Sequence, residues 1–205
     1  GLRYKPVTRV EGACGSGGMG LYTGVKTVAS GWAEAVLVVG FEVQNTVKAV
    51  YGADILAGAG YYFKERKTGH AFFFPGQFSD RAGAYMKKYG TAEPRRAMAA
   101  WYAQMVKNAR KNPKAQEFSN TTEDLEAQGE TPPNPKVFCE HINFFDCSKV
   151  SDAASAIIVA SAEGLERLGV SLADCVPLAG LAQVEDDIST PPPDLASLET
   201  TRRAA

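Results

Sequence analysis

The stretch Val7-Thr8-Arg9-Val10-Glu11-Gly12-Ala13-Cys14-Gly15-Ser16-Gly17-Gly18, followed downstream by Ala35-Val36-Leu37-Val38-Val39, decides the fold class. Val7 to Val10 reads as a short strand and the glycines as a turn. Leu21, Val25 and Val28, at i, i+4 and i+7, form one face of a helix. Ala35 to Val39 is apolar at every position, as in a parallel strand covered by helices on both faces. Residues 6–41 are therefore expected to form one β-α-β unit of an α/β fold.

Further along, Ala156 to Ala160 is a second continuous apolar run and predicts another buried strand. Ala162 to Leu168 reads as a short helix stopped by Gly169. Val176 to Val184 reads as a strand, followed by the Thr190-Pro191-Pro192-Pro193 loop and a last helix. Between about 44 and 135 there is no strand pattern, which marks an inserted, mostly helical region. Within it Ser79 to Tyr89 suits a helix closed by Gly90. The next helix starts at Pro94, carries Met98, Trp101, Tyr102, Met105 and Ala109 on one face, and ends before Asn112-Pro113. Thr131 to Pro135 is a proline-rich linker into an extended segment, Val137 to Phe145. The basic residues Lys87, Lys88, Arg95, Arg96, Lys107, Arg110, Lys111 and Lys114 face only Glu93 as an acid in their span, a pattern suited to a solvated helix face or to a phosphorylated ligand.

Composition narrows the function classes. With 205 residues, 45% hydrophobic and 22% charged, the chain can bury a core and is neither fibrous nor disordered. Its 22 Lys and Arg against 23 Asp and Glu give a net charge of -1, so no global basic field argues for nucleic acid. The cysteines, at 14, 139, 147 and 175, form neither a disulfide framework nor a metal-ligand spacing. They suit an intracellular, reducing compartment and imply no metal site. No apolar run approaches the ~20 residues of a membrane span. The chain opens at Gly1 without methionine and stops at Arg202-Arg203-Ala204-Ala205 inside a helix-like pattern, as expected of an internal piece of a longer protein.

Cys14 carries the chemistry. It follows a strand signal and opens a helix, where orphan N–H groups and the helix dipole favour a thiolate, the species that attacks a carbonyl carbon. Gly15, Gly17, Gly18 and Gly20 would each cost roughly 1 kcal/mol relative to alanine in a helix, which points to a close approach by backbone or ligand. The alternative is a buried structural thiol beside a tight helix–strand crossing. A third reading takes Gly15-x-Gly17-x-x-Gly20 with Glu42 as a dinucleotide fingerprint, although the first glycine stands five residues after Val10. His70 and His141 are the only histidines; either is an imidazole base in principle, but one in a loop and one in an extended segment read first as surface or hydrogen-bonded structural residues, and neither is assigned to Cys14. Cys139, Cys147 and Cys175 are expected to be buried and inert.

Residues Val10 to Gly18 with Ala35 to Glu42 resemble the nucleophile region of thiolases. Phe78 to Ala82 with Tyr85 to Gly90, Val106 to Asn108 with Lys111 to Gln116, and Asp146 to Ala154 resemble the sterol-carrier-protein-type, or lipid-transfer-protein, thiolases, in order over about the whole chain. The resemblance implies a layered α-β-α-β-α fold, here partial. Residues 1–160 would be the latter part of the N-terminal domain, with a loop domain inserted at roughly 44–150, and 161–205 the beginning of a C-terminal domain. It implies an acyltransferase with Cys14 as nucleophile, backbone support for the oxyanion from Cys14 and Gly15, and ping-pong condensation or thiolysis of acyl-CoA or 3-ketoacyl-CoA. Coenzyme A enters as substrate, with no permanently bound cofactor. Lys87, Lys88, Arg95, Arg96, Lys107 and Arg110 become candidates for its site. Cytoplasm, peroxisome or mitochondrion, and a homo-oligomer, are implied as well. The family's catalytic histidine and later cysteine motifs have no counterpart in the chain, which keeps open a non-catalytic acyl-CoA-binding or partner-binding subunit. Ala153 also replaces the usual glycine, and Gly18-Met19-Gly20 is richer in glycine than the family pattern.

Overall fold

The computed structural model describes residues 3–61, 63 and 69–205. In chain order the elements are α1 (Ser16–Ala29), β1 (Ala35–Glu42), α2 (Ala49–Leu56), α3 (Phe73–Tyr89), α4 (Ala92–Ala109), α5 (Leu125–Gly129), β2 (Ala153–Ala160), α6 (Ala162–Leu168) and α7 (Glu199–Ala204). They fall into two compact units, one of Gly1–Thr46 with Ser151–Gln183, the other of Val47–Val150 with Val184–Ala205.

In the first unit β1 and β2 pair antiparallel, Ala35 opposite Ala160 through Glu42 opposite Ala153. Opposed residues share a face, so Val36 with Val159 and Val38 with Ile157 look one way and Leu37 with Ile158 the other. Helix α1 lies close against the first face, where glycines leave room for the strand's valines. A Cβ on Gly20 would sit 3.2 Å from Val38 Cγ1, and one on Gly24 2.9 Å from Val38 Cγ2. On the second face Leu37, Val39 and Ile158 remain about half exposed. The expected parallel strand covered on both faces is thus corrected. An all-apolar run marks two faces that avoid water, and the described residues cover one of them. Val7 to Val10 and Val176 to Val184 form no strand either, because β composition makes a strand only where a neighbour completes the ladder.

Asp152 joins the two strand ends, its Oδ1 accepting from the Gln44 and Asn45 amides at 2.8 and 2.9 Å. Helix α6 forms as the sequence predicts. Ser161 Oγ caps it by accepting from the Gly164 N–H at 3.1 Å, and Gly169 closes it with φ 67°. The Ser161 N–H also donates to Glu34 O, which brings α6 so close that a Cβ on Gly164 would lie 2.1 Å from that carbonyl oxygen. Gly164→Ala is therefore expected to destabilise the protein by about 1–2 kcal/mol, since overpacking against backbone costs about 1–3 and better helix propensity returns at most about 1. Urea unfolding measures it, and a stabilised variant would contradict the close approach.

In the second unit α4 buries Ala99, Ala103 and Val106 against Leu125 of α5, with Tyr102 packed beside them. Trp101, expected on the apolar face of an amphipathic helix, is 69% exposed. The stripe of small residues is what faces the neighbour, because it lets α5 come close: a Cβ on Gly129 would stand 2.8 Å from Ala99 Cα. Helix α3 extends further upstream than expected, to Phe73, and ends where Gly90, φ 86°, donates its N–H to Met86 O at 2.8 Å. Arg81 on α3 donates to the carbonyls of Leu195 and Ser197, holding the segment before α7. Val137 to Phe145, expected to be extended, is made of turns. Asn143 initiates the last by accepting from the Phe145 and Asp146 amides. Among the described residues no helix is long and apolar enough to cross a membrane.

Candidate functional site

Cys14 is exposed, on the 3₁₀ turn Ala13–Gly15 that runs directly into α1. The turn is held from its two flanks. The Glu11 carboxylate accepts from the Ala13 N–H at 2.7 Å. Ser16 Oγ accepts from the Gly12 N–H at 2.9 Å, stands 2.7 Å from Ala13 O as a donor, and lies 3.1 Å from Glu11 Oε1. Ala13 itself has φ 49°, in the left-handed region. The amides of Ala13, above all, and then the Ser16 hydroxyl keep the Glu11 carboxyl below the usual range. Among the described residues the Cys14 N–H has no partner, whereas the Gly15 N–H donates to Gly12 O at 2.9 Å. Of the two expected oxyanion donors, Gly15 is therefore already engaged and Cys14 has an amide to offer.

The glycines divide by role. Gly20 is filled by the helix–strand crossing, while around Gly15, Gly17 and Gly18 an added Cβ would meet nothing within 4 Å. The open three lie on the turn and first helical residues, beside Cys14. Glu42, the acid of the dinucleotide reading, ends β1 and accepts from the Val43 amide at 2.9 Å.

The basic candidates all belong to the second unit and do not act as a group. Arg95 holds Asp146 through both guanidinium nitrogens, and Arg110 donates to Asn120 Oδ1 and Thr122 O, so both are architectural. Lys88 lies 3.5 Å from Asp194, and Arg96 3.9 Å from Glu93. Lys87 and Lys107 are exposed. Lys87 borders a cavity of about 500 Å³ whose wall also includes Thr91, Arg95, Glu130, Glu140 and His141. With Arg95 already paired and two glutamates present, this cavity offers no net positive field to a phosphate. His70 pairs with Asp80 at 3.1 Å, while the His141 ring packs on Gly83 and the His141 backbone N–H donates to Ser79 Oγ at 3.0 Å.

Cys139 is buried, as expected, while Cys147 and Cys175 are partly exposed. Burial first, then Cys139 and Asp146, push the Cys147 thiol up to about 11. A thiol whose ionisation is delayed in the folded state stabilises the fold fully below its ordinary value and loses that contribution as the unfolded chain ionises first. Stability should therefore fall between about pH 9 and 11, and Cys147→Ala should flatten the slope in urea midpoints; an unchanged slope would contradict this.

Sequence reasoning singled out Cys14 but missed Glu11 and Ser16. The signal was present as a carboxylate and a hydroxyl bracketing a glycine-rich turn, both able to take orphan amides. The profile of the thiolase N-terminal domain family matches residues 1–163. An acetyl-CoA acetyltransferase of Methanocaldococcus jannaschii is 34% identical over 190 residues, covering 92% of this chain and 45% of the relative. The acetyl-CoA acetyltransferase of Methanothermobacter thermautotrophicus is 33% identical over 163 residues, covering 80% and 39%. A non-specific lipid-transfer protein-like 2 of Caenorhabditis elegans is 25% identical over 197 residues, covering 92% and 46%. The chain spans less than half the length of each of these relatives.

Proposed function

Because this chain belongs to the thiolase family, we propose that Cys14 is its nucleophile and takes an acyl group from acyl-CoA, acetyl-CoA foremost. The observation that supports this most is an exposed thiol on a turn that feeds the positive end of α1. Sγ attacks the thioester carbonyl, a new C–S bond forms, the bond to coenzyme A breaks, and coenzyme A departs as its thiolate to be protonated. The Cys14 N–H suits the oxyanion of the tetrahedral intermediate. In the condensing direction the carbanion of a second acyl-CoA then takes the acyl group from Sγ. In the thiolytic direction Sγ instead attacks the 3-keto carbon of a 3-ketoacyl-CoA, the Cα–Cβ bond breaks, the acyl-CoA carbanion leaves and is protonated, and coenzyme A thiolate takes the acyl group from Sγ.

The unit that holds Cys14 contains neither His70 nor His141. The family's catalytic histidine and later cysteine motifs, which the resemblance assigns to acid–base work, have no counterpart in the chain, so one acylation without turnover is the behaviour expected of it. The same observation favours a second reading, an acyl-CoA-binding or partner-binding thiolase subunit with no turnover. In either case residues 1–160 act as the latter part of an N-terminal domain, the inserted 44–150 contributes to the coenzyme A site through cations of its exposed surface, Lys87, Lys88, Arg96 and Lys107 among them, rather than through the cavity beside Lys87, and 161–205 begins the next domain. Self-association and a reducing compartment accompany this reading. Incubation with acetyl-CoA followed by peptide mass mapping tests it: acetyl is expected on the Cys14 peptide, and label absent or spread over the other cysteines would remove the nucleophile.

A further inference from the structure

We propose that Glu11, with Ser16, is a positioning residue that aims Cys14 by fixing Ala13 in its left-handed conformation; this rests on Cys14 being the nucleophile. A residue with a Cβ is disfavoured at positive φ and stays there only where its surroundings over-determine it. Ala13, at φ 49°, directly precedes Cys14, so any relaxation of its backbone swings the thiol and its amide together.

Ala13 is held by the side chains of Glu11 and Ser16. Its N–H donates to Glu11 Oε1 at 2.7 Å, its carbonyl oxygen is 2.7 Å from the Ser16 hydroxyl, and the Gly12 amide before it donates to the same hydroxyl at 2.9 Å. Glu11 and Ser16 in turn meet at 3.1 Å. Peptide groups on both sides of Ala13 are thus pinned by two side chains. Glu11 is exposed and so contributes nothing to a core. Its one visible employment is this tether, and a carboxylate that stays ionised below the usual range keeps accepting throughout the neutral region.

The test is the rate of Cys14 acetylation by acetyl-CoA, followed by peptide mass mapping in the full chain. Glu11→Ala is expected to slow it about tenfold or more, since small misplacements of a reacting group cost that much. Glu11→Gln, whose amide oxygen still accepts, should stay within about threefold. Ala13→Gly in the Glu11→Ala background should restore part of the loss, because glycine adopts positive φ without the tether. Glu11→Ala reacting like the parent, Glu11→Gln falling with it, or no recovery from Ala13→Gly would each overturn the proposal. Should the parent itself take no acetyl, the nucleophile reading fails on its own. Amide exchange then decides the tether: a rise of about tenfold at Ala13 in Glu11→Ala but not in Glu11→Gln supports it, and equal exchange overturns it. If Glu11→Ala does not fold, Ser16→Ala is read by the same measures.

Discussion

Arg95→Ala is expected to lower the unfolding free energy by about 3–5 kcal/mol. The guanidinium grips both oxygens of Asp146, whose side chain is 2% exposed against 12% for Arg95. Asp146 also accepts from the Asn143 N–H at 2.8 Å, and Asn143 Nδ2 donates to the carbonyls of Gly129 and Thr131. Truncating Arg95 leaves a buried carboxylate with a single amide for company, in the middle of a network that joins α4, α5 and the 143–146 turn. The pair Arg167–Glu34 is a useful contrast. It is short, 2.7 Å, but 75% and 40% exposed, and its loss should cost less than about 1 kcal/mol. Urea unfolding separates the two. The double variant Arg95→Met with Asp146→Leu should recover part of the loss, because a buried ion pair is more expensive to break than to replace. A cost below about 1 kcal/mol for Arg95→Ala would show that the pair is no more than a surface contact.

Under the proposed function, Cys14→Ala is expected to abolish acetylation by acetyl-CoA, and Cys14→Ser to reduce it about a thousandfold or more, since a hydroxyl without an adjacent base is a far weaker nucleophile than a thiolate. Cys147 and Cys139 are expected to give little background. Cys147 is pushed up to about 11 by burial and its neighbours, and burial, then Asp80, raises Cys139 as well. Both variants should keep the parental far-UV spectrum, because Cys14 is exposed and fills no core position. Persistent labelling of Cys14→Ala at the parental rate, mapped to another residue, would move the chemistry elsewhere in the chain.

Much of the architecture around Cys14 is legible without coordinates. The turn, α1, β1, β2 and the Ser161-to-Gly169 helix all follow from apolar periodicity, capping and helix-stop residues. Strand pairing is not. Ala35 to Val39 carries no mark of direction, and its antiparallel partner lies more than a hundred residues away across an inserted region. Burial on α4 was misread for a different reason. The periodicity groups Met98, Trp101, Tyr102, Met105 and Ala109, whereas the close approach of Gly129 to Ala99 selects the small residues and leaves Trp101 in solvent. The basic stretch likewise reads as one feature in sequence. Its members separate in space because Asp146, Asn120 and Thr122, none of them adjacent in the chain, claim Arg95 and Arg110. Asp146 and Asp152, in the segment that resembles the family, turn out to be ties of the fold rather than parts of the reactive turn. Glu11 was passed over because a glutamate beside a glycine-rich turn looks like ordinary surface, and its role depends on the left-handed Ala13 that only coordinates reveal.

The most direct measurement is a single-turnover assay in which the chain is mixed with excess acetyl-CoA and the freed coenzyme A is quantified alongside the acetyl group retained on the protein. Acyl transfer to Cys14 predicts a burst of free coenzyme A approaching one equivalent per chain, matched by acetyl on the Cys14 peptide and absent from Cys14→Ala. Coenzyme A release that is no faster than from Cys14→Ala, with no acetyl on the Cys14 peptide, would contradict it.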